Sequence, residues 1–274
     1  MPTATVNGVR MFYELTGDGP PLVLIHGSWG DGASWDPVLP ALAQRFRVLT
    51  YDRRGHSRSQ RPPTQGSTEE DVDDLAALIA HLGLGPTHVA GISSGASLAL
   101  RLAARHPELV RSVAGHEPAL FNLFVDDPYQ GPTMREALER IEAVAALLAA
   151  GDVAEGTRQF AETYSYGPGG WELIPPERQQ VMVNNAPTFL DETRDPGSWT
   201  ADLTALAAIP CPILLTYGDQ SLPFLPPVVA ALAAVLSGAQ ERVIAGAGHV
   251  PPASQPAEYV AAVTAFTAAA DTAP

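Results

Sequence analysis

Ser93 sits in Gly91-Ile92-Ser93-Ser94-Gly95, directly after the apolar run 87–92 and just ahead of an alanine- and leucine-rich stretch, 94–105. In a strand–turn–helix, a serine between two glycines can take a strained backbone conformation, because the glycines bring no side chain to the place where strand and helix nearly touch. The hydroxyl then stands exposed at the strand tip. A serine hydroxyl is a weak nucleophile until a neighbouring base removes its proton, and that base needs a third group to fix its tautomer and stabilise its charged form. His249 qualifies by position. Gly246-Ala247-Gly248-His249-Val250-Pro251 follows the last apolar strand-like run, 241–245, so its imidazole can reach the same edge as Ser93. A lone histidine without that context is more often incidental than catalytic. Ser94 falls at the helix start, where it suits an amide donor better than a nucleophile.

The elements that must position these residues alternate along the chain. Asn7-Gly8, between 3–6 and 9–15, suits the positive dihedrals of a tight hairpin. Leu22-Val23-Leu24-Ile25 is a continuous apolar run, the mark of a strand buried on both faces, and it ends in His26-Gly27-Ser28-Trp29-Gly30. A helix is predicted over 35–44, a strand over 47–51, and a further helix through Leu82 that begins with Ser67 and Glu70 as a capping box. Strands 87–92 and 110–115 bracket the helix 94–105, which His106-Pro107 stops. This alternation predicts a mostly parallel sheet with helices on both faces. The rhythm fails between about 120 and 206, where helical stretches such as 134–150 mix with segments rich in glycine, proline and aromatics, as in an inserted helical cap. It resumes with a strand over 212–217, a helix over 226–236, a strand over 241–245 and a last helix over 256–270. The domains expected are a core of 1–119 and 207–274 and a cap of 120–206.

A chain of 274 residues, 46% hydrophobic, has enough apolar mass for one catalytic core with a modest insertion. Its net charge of −14 would be repelled by nucleic acid and by anionic membrane, so neither is an expected partner. Cys211 is the only cysteine, which rules out an intrachain disulfide, and its apolar setting fits a buried structural thiol. No phosphate loop, dinucleotide fingerprint or cysteine cluster suggests a cofactor, and His56, His81, His88, His106 and His116 lack metal-ligand spacing. The first residues have neither the basic start nor the long apolar core of a signal peptide, and no apolar run reaches spanning length. A cytoplasmic location is expected.

The chain resembles an α/β-hydrolase over nearly its whole length, through His26-Gly27, Asp52-Arg53-Arg54-Gly55-His56-Ser57-Arg58-Ser59, Gly91-Ile92-Ser93-Ser94-Gly95 and Gly248-His249. The resemblance implies an α/β fold with a mostly parallel eight-stranded sheet, helices on both faces and an inserted helical cap. It further implies the chain order serine, acid, histidine, and an oxyanion hole formed by the backbone N–H groups of Ser28 and Ser94. The acid departs from the commonest family pattern, Gly-x-x-Asp after the late strand. Gly218-Asp219-Gln220-Ser221 puts serine at that position and leaves Asp219 two residues out of register. Another carboxylate stands at the end of the preceding strand, in His116-Glu117-Pro118-Ala119. Zearalenone-type lactonases are similar in running from a Ser-Ser-Gly-Ala elbow to a His-Glu-x-Pro segment whose glutamate completes the triad. Glu117 is therefore favoured, with Asp219 as the alternative acid.

The activity this implies is hydrolysis of a small apolar ester or lactone by Ser93, His249 and Glu117, with no cofactor and no metal. Trp29, Phe121, Trp171 and Trp199 are the aromatic candidates for lining a substrate pocket under the cap. Two other readings stay open: a small-molecule receptor on the same fold, and C–C bond hydrolysis or cofactor-free haloperoxidation at the same site. Epoxide hydrolases and haloalkane dehalogenases are disfavoured, because those relatives carry aspartate where Ser93 stands. Homodimerisation is left open.

Overall fold

Asn7 and Gly8, both at positive φ, close the antiparallel hairpin between β1 (Thr3–Val6) and β2 (Val9–Thr16). The computed structural model describes residues 2–272 and places this hairpin at one edge of an eight-stranded sheet. The remaining strands are β3 (Pro21–Ile25), β4 (Arg47–Tyr51), β5 (Thr87–Ile92), β6 (Val110–His116), β7 (Ile213–Gly218) and β8 (Gln240–Ile244). Their order is β1-β2-β4-β3-β5-β6-β7-β8, with β2 antiparallel to β4 and every later pair parallel. A parallel neighbour requires a crossover, and the helices supply it: α1 (Leu39–Leu42), α2 (Thr68–His81), α3 (Ser94–Arg105), and the cap helices α4 (Gly131–Ala149), α5 (Val153–Phe160), α6 (Pro176–Arg194) and α7 (Leu203–Ala207). α8 (Leu225–Val235), α9 (Pro251–Ser254) and α10 (Pro256–Thr272) complete the core.

Both faces of the sheet are covered, and β3 shows how the side chains divide. Val23 and Ile25 join the cluster under α2, α3 and α8, which includes Leu75, Leu98 and Val228. Leu22 and Leu24 point to the opposite cluster, with Leu42 of α1 and Tyr259, Val263 and Phe266 of α10. The period of two along a strand makes that division, and burial on both sides explains the unbroken apolar run. No helix among the described residues is long and apolar enough to cross a membrane.

One predicted element differs. The helix expected over 35–44 is a 3-10 turn (Gly32–Trp35) followed by the single turn α1. Trp35, Val38 and Leu42 are buried at helical spacing, but Pro37 and Pro40 lack the N–H groups that a continuous helix would use there. The other boundaries move by three residues at most; β6, for instance, continues through His116, and α4 starts at Gly131.

The site depends on the parallel register of β5, β6 and β7. Gly91 pairs with Gly115, Ile92 with His116, and His116 with Thr216. The ladder then continues one step past the strand ends, as Ser93 N–H donates to the His116 carbonyl (2.9 Å) and Glu117 N–H to the Thr216 carbonyl (3.0 Å). Ser93 and Glu117 thus leave adjacent strand tips at the carboxyl edge, where open α/β sheets bind ligands. The cap helices are inserted between β6 and β7.

Candidate active site

Ser93 adopts φ 56° and ψ −122° as β5 turns into α3. Such a conformation costs a non-glycine residue about 1–3 kcal/mol and persists only where its surroundings impose it. The two flanking glycines show how: a Cβ on Gly91 would collide with the Gly95 carbonyl, and one on Gly95 with the carbonyls of Ile25 and His26. Only glycines let α3 start this close to β3 and β5.

Glu117, also at positive φ (46°), follows β6 directly. Its Oε2 lies 2.6 Å from His249 Nδ1, and its Oε1 accepts the Gly218 N–H at 3.0 Å. Burial opposes ionisation of this carboxyl. The neighbouring His116 and His249 imidazoles, the bond to His249 and the nearby Ser221 outweigh it and hold the group below the usual carboxylate range. A carboxylate on Nδ1 fixes the proton there and leaves the Nε2 lone pair to act as a base. The His249 ring meets Tyr164 edge-on at 5.6 Å, and Tyr164 lies on a π-helical turn (Ala161–Ser165) that continues α5. Asp219 is exposed instead. Its carboxylate accepts the Gly246 N–H at 2.8 Å, bracing the loop that leads to His249 without touching the imidazole.

Ser93 and His249 line one cavity of about 370 Å³. Ser93 Oγ has no hydrogen-bond partner among the described residues, as is common before substrate closes a serine–histidine pair. Trp29, Trp35, Phe160, Ile174 and Met182 make most of the wall apolar. At its polar end Arg178 donates to Asp31 Oδ1 (2.8 Å) and Ser34 Oγ (2.8 Å). Of the four aromatic residues expected to line a pocket, only Trp29 does so. Phe121 is sealed among Tyr164, Trp199 and Phe224, Trp199 packs on Phe121 and Phe189, and Trp171 lies against the edge of the core. These three hold the cap together, because aromatic area inside a small helical insertion is needed first for its own core. Arg178 and Met182 were missed by sequence reasoning; their spacing of four on α6 was the available signal, since it puts both on one helix face.

The loop after β3 presents the other part of the site. Trp29 has φ 69° and stacks on Phe160 at 4.9 Å. His26 Nε2 accepts the Arg53 N–H (3.0 Å) while Nδ1 contacts the Gly27 carbonyl (2.8 Å), a pattern that requires the neutral ring with its proton on Nδ1. Burial and the Arg53 charge press His26 down to about 4, in keeping with that state. The backbone N–H groups of Ser28 and Ser94 donate to nothing among the described residues. Asn185 of α6 donates to the carbonyls of Trp29 (3.2 Å) and Gly30 (2.8 Å), so a cap residue holds the loop. Among the described residues no cluster of histidine, cysteine, aspartate and glutamate is arranged to hold a metal ion. Cys211 is half-buried, and burial pushes its thiol up to about 11.

A model of the alpha/beta hydrolase family matches residues 22–263. An uncharacterized hydrolase of Bacillus subtilis, YraK, is 42% identical over 123 residues, which is 44% of this chain and 45% of that protein. The alignments to curated relatives span less than half of each relative's length. Among solved structures, a thermophilic esterase from Thermogutta terrifontis superposes with TM-score 0.77 at 27% identity, covering 98% of this chain and 97% of that one. Est816, described as an N-acyl homoserine lactone degrading enzyme, superposes with TM-score 0.74 at 25% identity, covering 97% and 100%.

Proposed function

The chain belongs to the alpha/beta hydrolase family, and on that premise we propose that it is a serine hydrolase that cleaves an ester or lactone of a small, largely apolar substrate through an acyl-enzyme. The observation that carries this reading is the Glu117–His249 pair at 2.6 Å beside a cavity that His249 shares with Ser93. His249 Nε2 takes the proton as Ser93 Oγ attacks the carbonyl carbon. The negative charge that develops on the carbonyl oxygen is held by the N–H groups of Ser28 and Ser94, which have no other partner among the described residues. His249 then returns the proton to the leaving alkoxide, and water, activated by the same imidazole, releases the acid. A lactone would open to a hydroxy acid, its alcohol remaining on the acyl chain. The apolar wall of Trp29, Phe160 and Met182 favours an aliphatic or ring-bearing acyl portion. The structural likeness to an esterase and to a lactone-degrading enzyme supports this choice of bond, as does the His116-Glu117 pair, which zearalenone-type lactonases share although their proline comes one residue later.

The test is a fluorophosphonate probe followed by peptide mass spectrometry, alongside turnover of p-nitrophenyl esters and simple lactones by wild type and Ser93→Ala. An adduct on Ser93 and loss of turnover in the variant are expected. Turnover that survives the substitution refutes the nucleophile. No adduct, together with tight binding of an intact ligand, favours a receptor.

A further inference from the structure

Beneath the free N–H groups of Ser28 and Ser94, the side chains of the same two serines meet a cap residue. Ser28 Oγ lies 2.5 Å from Glu192 Oε2 and 3.1 Å from Ser94 Oγ. Arg53 Nη1 donates to Ser94 Oγ (2.9 Å), and Arg53 Nη2 donates to Glu192 Oε1 (3.0 Å). A hydroxyl has one proton to give. At the shorter distance the Ser28 proton goes to the carboxylate, which leaves the Ser94 proton to cross the serine pair to Ser28 Oγ. The bonds then run by two arms from Arg53 to Glu192 and close a ring: Arg53 to Ser94, Ser94 to Ser28 and Ser28 to Glu192 along one, and Arg53 directly to Glu192 along the other. Asp71 holds the guanidinium from outside at 2.6 Å. Arg53, Ser94 and Glu192 are buried and Ser28 is half-buried, so water competes little for most of these bonds.

The ring joins four separate parts of the fold. Ser28 follows β3, Ser94 opens α3, Arg53 follows β4, and Glu192 lies on α6 of the cap. Asn185, Thr188 and Glu192, at i, i+3 and i+7, form one buried polar face of α6. Asn185 grips the Trp29 and Gly30 carbonyls, and Thr188 Oγ1 lies 3.0 Å from His56 Nε2. Glu192 is the member of this face that reaches the two serines.

We propose that Glu192 is a positioning residue for the oxyanion hole: by closing the hydrogen-bonded ring with Arg53, Ser94 and Ser28, it sets the separation of the Ser28 and Ser94 N–H groups, so that the two donors converge only when the cap is seated. The inference rests on the ester-hydrolase reading above. In glutamine at this position the amide nitrogen replaces one accepting oxygen, so one bond of the ring is lost while shape is kept. The N–H groups themselves remain, displaced by tenths of an ångström.

Purified wild type, Glu192→Gln, Ser28→Ala and the double variant are compared with p-nitrophenyl butyrate at pH 8, and by the rate of fluorophosphonate labelling of Ser93. For Glu192→Gln a kcat lower by about 10–100-fold is expected with KM within about twofold, and labelling slowed in proportion, because only the transition state presents the oxyanion. The double variant should be little worse than Ser28→Ala alone, because both substitutions open the same ring. Unlabelled wild type would overturn the hydrolase reading itself. A labelled wild type with unchanged kcat in Glu192→Gln, a change confined to KM, or full additivity in the double variant would overturn the ring alone. Should Glu192→Gln fail to fold, the Ser28→Ala kcat decides: a normal value overturns the proposal.

Discussion

Glu117 Oε2 and His249 Nδ1 lie 2.6 Å apart although 132 positions separate them in the chain. Neither is exposed by more than a few per cent, and the second carboxylate oxygen is committed to the Gly218 N–H. The pair spans the cap insertion: Glu117 precedes it, at the tip of β6, and His249 follows β8. Strand register brings the β5, β6 and β7 tips together, so an acid on the strand next to Ser93 can reach an imidazole that arrives from beyond β8.

If Glu117 orients His249, Glu117→Gln will place an amide against Nδ1 and lose the preferred tautomer. kcat for p-nitrophenyl butyrate should fall by about 10³–10⁴-fold, the size of effect that disrupted orientation has in serine triads. Asp219→Asn, which retains an acceptor for the Gly246 N–H, should stay within about threefold of wild type, because Asp219 makes no contact with the imidazole. Collapse of the Asp219 variant with a healthy Glu117 variant would reverse the assignment.

The elbow glycines invite a stability test. Gly95→Ala brings a methyl against the Ile25 and His26 carbonyls, which belong to β3 and its exit and have little room to give. A loss of about 3 kcal/mol or more is expected from urea unfolding. Gly8→Ala is the control. Its site is open but at φ +79°, so only the backbone penalty of about 1 kcal/mol applies. Equal losses would mean that the Ile25 and His26 carbonyls give way to the methyl at little cost.

Fold and site were legible in the sequence to different depths. Alternating strands and helices, the Gly91–Gly95 turn and the break in rhythm before β7 are enough to expect a mostly parallel sheet and a helical insertion, because periodicity and turn chemistry are local properties; the count of eight strands comes with the family resemblance. The single helix expected over 35–44 fell to two prolines whose effect depends on where each missing N–H would have bonded. Inside the cap the reading was weakest. Phe121, Trp171 and Trp199 were singled out as aromatic residues of an insertion, but whether an aromatic side chain faces a cavity or a neighbouring helix is decided by tertiary packing. Asn185, Thr188 and Glu192 carried a periodic polar signal in plain view, and its meaning needed the serines and Arg53 that lie over ninety positions away.

Met182 tests the cavity as a gauge of substrate size. It lines the space beside Ser93 from α6 and is 8% exposed. Met182→Ala should extend the range of p-nitrophenyl esters toward longer acyl chains, and Met182→Trp should shorten it. A shift of about tenfold in kcat/KM is expected for the longest ester accepted, the scale on which one or two methylenes are discriminated. The acetate ester, too short to reach the side chain, should change by less than about twofold. An unchanged chain-length profile in both variants would mean that the acyl group lies elsewhere.

Acid should destabilise the protein well before its carboxylates titrate. His26 is pressed to about 4 by burial and the Arg53 charge, and His116 to about 4 by burial and the charge of His249, against an ordinary value of 6.5. His56 moves in the same direction, again through burial first. A base whose folded pKa is lowered is neutral in the native state and gains its proton on unfolding. Between 6.5 and about 4 the unfolded chain therefore binds more protons, and stability falls as pH falls through that window. Glu117 contributes in sequence: its carboxyl lies below its ordinary 4.5, so its stabilisation is present above that value and is lost on further acidification. The urea midpoint should be level from pH 8 to about 7 and then decline steadily toward pH 4. A midpoint that holds to pH 5 would mean that the buried imidazoles are already protonated in the native protein, which is incompatible with His26 accepting the Arg53 N–H through Nε2.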